Sequence, residues 1–136
     1  MTILGVDYGD KRVGLAINDG LGLMAHSLKV VPKTSALQDI KKIVLEYEVK
    51  LIVVGLPVNL KGEIAFKAKQ VLLWIEELKK VSGVPIETFD ERFSTFEAEE
   101  ELLQSDLSRD KRKKIVDKLA ARNILQGYLN MKKENK

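Results

Sequence analysis

Residues 2–18 read TILGVDYGDKRVGLAIN, two β-favouring runs joined by a short turn that contains Gly9. Asp7 stands where the first apolar run ends, and two cations, Lys11 and Arg12, precede the second run. A carboxylate at the end of a buried strand has lost much of its water and needs a partner for its charge. This stretch therefore predicts a hairpin that carries a metal ion or a phosphate-bearing ligand near its turn.

The pattern outward from this hairpin predicts a mixed α/β sheet with helices on its faces. Strand-like runs at 2–8, 13–18 and 23–31 are expected to form an antiparallel meander that Pro32 ends. Apolar spacing then predicts a helix at about 37–47, a buried strand at 50–55, a helix over 64–78 and a strand at 84–89. A capping box at 94–97 predicts a short helix, and the last helix is expected at about 109–131.

Length and composition favour one soluble domain. The chain has 136 residues, of which 45% are hydrophobic and 32% charged, so residues 1–136 are expected to form a single domain. The absence of cysteine excludes disulfides and thiolate chemistry. The sequence shows neither a signal peptide nor a membrane span, and we expect a cytoplasmic protein without a membrane partner.

The charge distribution is mildly basic. The net charge is +3, and cations cluster at 109–114 and at the end of the chain. Such clusters can attract a nucleic-acid backbone, although a solvated helix start and a frayed tail would look the same.

Three acidic positions could form one site. Asp7 ends the first strand, and Asp90 and Glu91 follow the fifth strand at the edge where α/β sheets bind ligands. At 100° per residue, Asp117 shares a helix face with small and apolar residues, namely Ala120, Ala121, Ile124 and Tyr128. Three converging carboxylates would repel one another, and a divalent cation removes that conflict. Two such ions would support cleavage of a phosphodiester bond.

Each acid also has a purely structural interpretation. Asp7 could accept hydrogen bonds from its own glycine turn, and Asp117 could pair with cations on its helix. Asp90 could simply cap the end of its strand, which makes Glu91 the better candidate ligand. The lone His26 lies in a strand and is expected to be structural, so water is the expected nucleophile.

A second glycine-containing segment, residues 55–62, follows a strand and precedes a helix. Its backbone N–H groups could hold a phosphate, although it lacks the Gly-Lys-Ser/Thr ending of a Walker A loop. Lys11, Arg12 and Arg92 flank the acids and could neutralise phosphate oxygens, or could pair with the acids themselves.

Taken together, these motifs resemble the YqgF family, also called RuvX, of the RNase H-like superfamily. The resemblance covers nearly the whole chain and rests on four motifs in order: residues 7–9 with 11–16, residues 55–57 with Asn59 and 62–63, residues 90–95, and residues 116–121 with 124–129. It implies an RNase H-like fold, in which three antiparallel strands are followed by two parallel ones.

The resemblance also implies a site and an activity. The catalytic and metal-binding residues would be Asp7, Glu91 (or Asp90) and Asp117, holding Mg²⁺ or Mn²⁺, with two ions expected. Substrate phosphates would be bound by Lys11, Arg12, Asn59 and Arg92. The implied function is a nuclease in 5′-end processing of pre-16S rRNA, with pre-ribosomal particles as partners. The alternative substrate is a Holliday junction in branched DNA.

One departure and two other function classes bear on this assignment. Many RNase H-like nucleases carry their second acid on the fourth strand, whereas here that strand ends in Gly55-Leu56-Pro57, so Glu91 is inferred as its replacement. Asp-x-Gly after a strand also occurs in actin- and hexokinase-like ATPases, which close two domains around a nucleotide. A non-catalytic RNA-binding assembly factor is the third possibility, although a pure binder would gain from losing acids beside phosphates.

Overall fold

The structure, a computed structural model, describes residues 1–57, 66–91 and 108–134, without the side chains of residues 109–110, 112–118 and 134. The strands are Thr2–Tyr8 (β1), Arg12–Asn18 (β2), Ala25–Pro32 (β3), Val49–Leu56 (β4) and Ile86–Asp90 (β5). The helices are Ala36–Glu46 (α1), Phe66–Ser82 (α2) and Arg109–Glu134 (α3), with a short 3-10 helix at Lys33–Ser35 before α1. The helix predicted from the capping box at 94–97 lies outside the described residues.

The strands form one five-stranded sheet in the order β3-β2-β1-β4-β5. β1 pairs antiparallel with β2, and β2 pairs antiparallel with β3, whereas β4 runs parallel to both β1 and β5. The predicted mixed sheet, with three antiparallel strands followed by two parallel ones, is confirmed. Its parallel half brings the carboxyl ends of β1, β4 and β5 to the same edge.

The bounds of β3 and β5 differ most from the predicted ones, and those of β2 and β4 differ by one residue. β3 begins at Ala25 and includes Pro32, which pairs with Arg12 as the last residue of an edge strand, where a missing N–H group is tolerated. β5 begins two residues later than predicted and extends through Asp90. The carbonyl of Pro85 still accepts a hydrogen bond from Ile52 N at 3.0 Å, so the segment before β5 already contacts β4.

Each face of the sheet has its own apolar core. On one face, α1 and α2 pack over alternate residues of the central strands, such as Leu4, Val6 and Ile52. On the other face, α3 covers residues of the opposite parity, such as Ile3 and Val53. Asp7, like Ile3, is an odd-numbered residue of β1, so its side chain lies on the face of the sheet that α3 covers.

Helix α3 crosses the sheet at very close range over β1. A Cβ atom on Gly5 would lie 2.7 Å from Leu125 Cβ and 3.1 Å from the carbonyl oxygen of Ala121, so only glycine permits this approach. The predicted apolar stripe of α3 is present, since Ala121, Ile124 and Tyr128 are all buried. The crossing places α3 two residues before Asp7 along β1. No helix in the described part of the chain is long and apolar enough to cross a membrane.

Candidate active site

The structure brings Asp7 and Glu91 together at the carboxyl edge of the sheet. Asp7 is the penultimate residue of β1, and Glu91 directly follows β5. A hydrogen bond joins their carboxyl groups, and both side chains are half-buried. Alternation along β5 puts Phe89 on the α3 face and Asp90 on the other face, so the next odd position, Glu91, returns to the face of Asp7.

The pairing of two carboxyl groups perturbs Glu91 strongly. Burial, the charge of Asp7 and the hydrogen bond with Asp7 raise the pKa of Glu91 to about 7, and Asp90 adds to this increase. The ammonium group of Lys67 acts in the opposite direction. In the absence of a cation the pair therefore shares a proton near neutral pH, because two neighbouring carboxylates resist simultaneous ionisation.

A cleft of about 390 Å³ opens beside Asp7. Its lining comes from β1, from the β1–β2 turn with Asp10 and Lys11, from Arg12 and Gly14 at the start of β2, from Val30 on β3 and from Lys67 on α2. Lys11 and Arg12 are both exposed. The cleft thus combines two carboxyl groups, Asp7 of the pair and Asp10, with three cations that suit a polyanion, namely Lys11, Arg12 and Lys67.

The end of β1 is fixed by an aromatic contact on the opposite face. The ring of Tyr8 lies 4.6 Å from that of Trp74 on α2, centroid to centroid, and Lys33 Nζ lies 4.8 Å from the centre of the Tyr8 ring. Lys33 N also donates a hydrogen bond to the carbonyl of Lys11 at 3.0 Å. These contacts hold the backbone on both sides of the turn after Asp7.

Gly55 has a packing role in addition to the phosphate-binding role suggested for residues 55–62. As the predicted strand at 50–55 implies, it lies in β4, where it pairs with Phe89 of β5. A Cβ atom there would clash with Ile124 Cδ1 of α3 and would lie 2.7 Å from Glu91 Oε1. Gly55 therefore makes room for the helix and for the Glu91 carboxyl group above the end of β4. The rest of the predicted loop, residues 58–62, lies outside the described residues.

This packing yields a stability prediction. We expect Gly55→Ala to lower the free energy of unfolding by about 1–3 kcal/mol, because the added methyl group overpacks the contact between α3 and β4. Urea denaturation measures the change. Gly20→Ala is the matched control, since a Cβ atom on Gly20 meets nothing within 4 Å. Equal stabilities of the two variants would contradict the close contact.

The remaining predicted site residues are only partly placed. Asp117 lies in α3, four residues before Ala121 that touches Gly5, but its side chain is not among those described. Asn59 and Arg92 lie outside the described residues. Among the side chains that the structure describes, which do not include that of Asp117, no three His, Cys, Asp or Glu residues are grouped to hold a metal. His26 is exposed on β3, away from the acid pair.

A larger cavity, of about 560 Å³, lies between α2, β5 and the end of α3, and neither Asp7 nor Glu91 lines it. Its acidic groups have structural partners. Glu87 accepts a hydrogen bond from the hydroxyl of Tyr128, and Glu76 pairs with Lys79 at 3.2 Å. Burial raises the pKa of Tyr128, which keeps this phenol a donor. The smaller cleft beside Asp7 is therefore the candidate active site.

Comparison with known proteins gives the family. The model of the RuvX family, described as Holliday junction resolvase, matches residues 1–131. The chain belongs to the RuvX family. A relative from Desulforamulus reducens is 45% identical over 133 residues, covering 96% of this chain and 97% of its own. A relative from Carboxydothermus hydrogenoformans is 46% identical over 138 residues, covering 99% and 100%. Both relatives bear the name "Putative pre-16S rRNA nuclease".

Solved structures share the fold of this RuvX-family chain. RuvC of T. thermophilus in complex with a Holliday junction substrate superposes with a TM-score of 0.59 at 17% identity, covering 97% of this chain and 96% of RuvC. The Holliday junction resolvase of fowlpox virus gives a TM-score of 0.54 at 15% identity, covering 96% and 99%. The predicted RNase H-like fold is thereby confirmed.

One residue of the RuvX cleft was missed by the sequence analysis. Lys67 lies 60 positions after Asp7 in the chain, yet α2 brings it to the cleft that contains Asp7. Lys69 and Lys79 are further cations of α2 and carry the same local signal in the sequence. Only the packing of α2 on the sheet separates Lys67 from them.

Proposed function

We propose that this chain is a metal-dependent nuclease that hydrolyses phosphodiester bonds, and that it acts in 5′-end processing of pre-16S rRNA. The observation that carries the proposal is the hydrogen-bonded pair Asp7–Glu91 beside a cleft lined by Lys11 and Arg12. Two neighbouring carboxylates repel each other, so the pair binds a divalent metal ion well. The adjacent cationic side chains can bind a phosphate backbone.

The donor set fits hard divalent cations. Asp7 and Glu91 offer carboxylate oxygens, and the pKa of Glu91 is raised by burial and then by the charge of Asp7, both of which a bound cation would offset. Asp117, on the helix that crosses β1 near Asp7, is the proposed third ligand. When bound, Mg²⁺ or Mn²⁺, two ions in our proposal, would supply activation of the attacking water and neutralisation of charge on the leaving oxygen.

Glu91 takes the place of the acid that β4 lacks. Its Oε1 atom lies directly above Gly55, where a side chain from β4 would otherwise stand. A carboxylate that follows β5 and lies over a glycine of β4 would thus serve in place of the acid that many RNase H-like nucleases carry on the fourth strand. This geometry supports Glu91, rather than Asp90, as the second acid of the site.

The cations of the cleft would orient the substrate. Lys11 in the turn after Asp7 and Arg12 at the start of β2 both line the cleft, so a phosphate that lies against the acids would contact both. Asn59 and Arg92 are proposed to bind phosphates on the grounds of the motif alone. Their task is to hold the strand so that the scissile phosphate faces Asp7 and Glu91.

RNA is the preferred substrate class because of the names of the relatives, which are over 40% identical across nearly their full length. Processing of pre-16S rRNA would place the chain in the cytoplasm, with pre-ribosomal particles as its partners. A Holliday junction resolvase acting on branched DNA is the second candidate, favoured by the description of the family model. The family assignment favours either nuclease over the ATPase alternative.

A substrate comparison tests the proposal. Purified protein is incubated with an RNA that spans the 5′ end of 16S rRNA and its leader, and separately with four-way junction DNA, in Mg²⁺, Mn²⁺ or EDTA. We expect metal-dependent cleavage of the RNA and none in EDTA. Selective cleavage of the junction would favour the resolvase instead. Binding of RNA without cleavage in any metal would favour a non-catalytic assembly factor.

A further inference from the structure

The candidate active site has a cation on its α2 side that the family motifs do not include. Lys67 is the second residue of α2 and lines the cleft of Asp7, whereas the other lining residues come from β1, β2, β3 and the turn between β1 and β2. Lys11 thus approaches the cleft from that turn and Arg12 from the start of β2, whereas Lys67 approaches it from a separate helix.

Two independent features place the Lys67 ammonium group near the acids. Lys67 is part of the cleft wall, and its charge acts on the carboxyl group of Glu91. Its side chain is exposed, and within the described ranges no carboxylate forms an ion pair with it at 4.0 Å or less. A cation that neither fills the core nor closes a salt bridge there contributes little to folding.

We propose that Lys67 is a substrate-binding residue, whose ammonium group contacts a backbone phosphate next to the scissile one. This inference rests on the proposed nuclease function and adds a residue to it. The substrate strand would lie across the Asp7–Glu91 pair, held on one side by Lys11 and Arg12 and on the other by Lys67. Ionic contacts at two separate points fix the direction of the bound nucleic-acid strand, whereas a single contact allows the strand to rotate about it.

The geometry also separates this role from simple neutralisation of Glu91. If Lys67 interacted only with the carboxyl group of Glu91, substitution of Lys67 would leave the number of contacts between the protein and substrate phosphates unchanged. If Lys67 binds a phosphate, its loss removes one ionic contact with the strand. The dependence of log Kd on log salt concentration counts such contacts, with a slope of about 0.7 for each phosphate of a single strand.

The test compares Lys67→Gln with Lys69→Gln, an exposed lysine of the same helix that does not line the cleft. The probe is a fluorescently labelled single-stranded RNA with the 16S leader sequence, and its Kd is measured by anisotropy between about 50 and 200 mM KCl. For Lys67→Gln we expect a Kd about 5–20 times higher and a salt slope lower by about 0.7. Lys69→Gln should match wild type, and Lys67→Arg should restore the slope.

Cleavage kinetics complete the test. We expect Lys67→Gln to raise KM more than it lowers kcat, because the contact is with the bound strand before and during reaction. A wild-type protein that cleaves RNA while Lys67→Gln and Lys69→Gln give the same Kd and slope overturns this inference alone. A wild-type protein that neither binds nor cleaves RNA overturns the proposed function together with it.

Discussion

Asp7→Asn is expected to abolish metal-dependent cleavage while the protein remains folded. Asparagine keeps the size of the side chain but removes the charge that a divalent cation requires at the end of β1. Because bound cations supply several kcal/mol of transition-state stabilisation, we expect kcat to fall by at least about 10³-fold. RNA affinity in EDTA should stay equal or rise, since one negative charge beside the phosphates disappears.

Asp39→Asn is the control for this change, because Asp39 lies on α1 and its Oδ2 accepts a hydrogen bond from Ser35 on the opposite face of the sheet. Circular dichroism and thermal unfolding establish that both variants are folded, and single-turnover cleavage measures the chemical step. An Asp7→Asn protein as active as Asp39→Asn would rule out this active site. A variant that is inactive and unfolded would instead be replaced by Asp7→Glu, which keeps the charge and displaces it by one methylene group.

The fold could be read from the sequence because its determinants are local and periodic. The apolar run before Asp7 and the apolar run of β4 predict a hairpin strand and a central parallel strand, and the sheet contains both. The strand ends were less well predicted, as Pro32 and Pro85 show. Both prolines stand at the end of an edge strand, and whether the strand includes its proline depends on how that residue pairs with the neighbouring strand in the assembled sheet.

Only those site residues that lie at the ends of strands could be brought together from the sequence. Asp7 lies at the end of β1 and Glu91 directly after β5, so their meeting at one sheet edge follows from the parallel pairing of both strands with β4. The role of Gly55 could not be predicted, since it depends on how closely α3 approaches β4. Lys67 was missed for the same reason, because its relevance arises from tertiary packing. The roles of Asp117, Asn59 and Arg92 rest on the motifs and stay predictions.

The second large expected effect is a pH dependence of the free energy of unfolding, which follows from the raised pKa of Glu91. The folded, metal-free protein holds this proton more tightly than the unfolded chain, in which an ordinary glutamate has a pKa near 4.5. The free energy of unfolding should therefore fall as pH rises from about 4.5 to about 7, by up to about 3 kcal/mol. Glu91→Gln carries no such proton, so its stability should lack this component and exceed that of wild type at pH 8 in EDTA.

Urea denaturation at pH 5, 6, 7 and 8 measures the free energy of unfolding of wild type and of Glu91→Gln. The difference between the two values excludes contributions from groups that titrate far from the site, because both proteins share them. Glu46→Gln, an exposed glutamate at the end of α1, removes the same charge elsewhere and should follow wild type within about 0.5 kcal/mol. Mn²⁺ should stabilise wild type at pH 8 but not Glu91→Gln, since binding to the folded state alone shifts the unfolding equilibrium. Parallel pH profiles for wild type and Glu91→Gln would show that the carboxyl groups of Asp7 and Glu91 are not coupled, and the metal site proposed on that coupling would lose its main support.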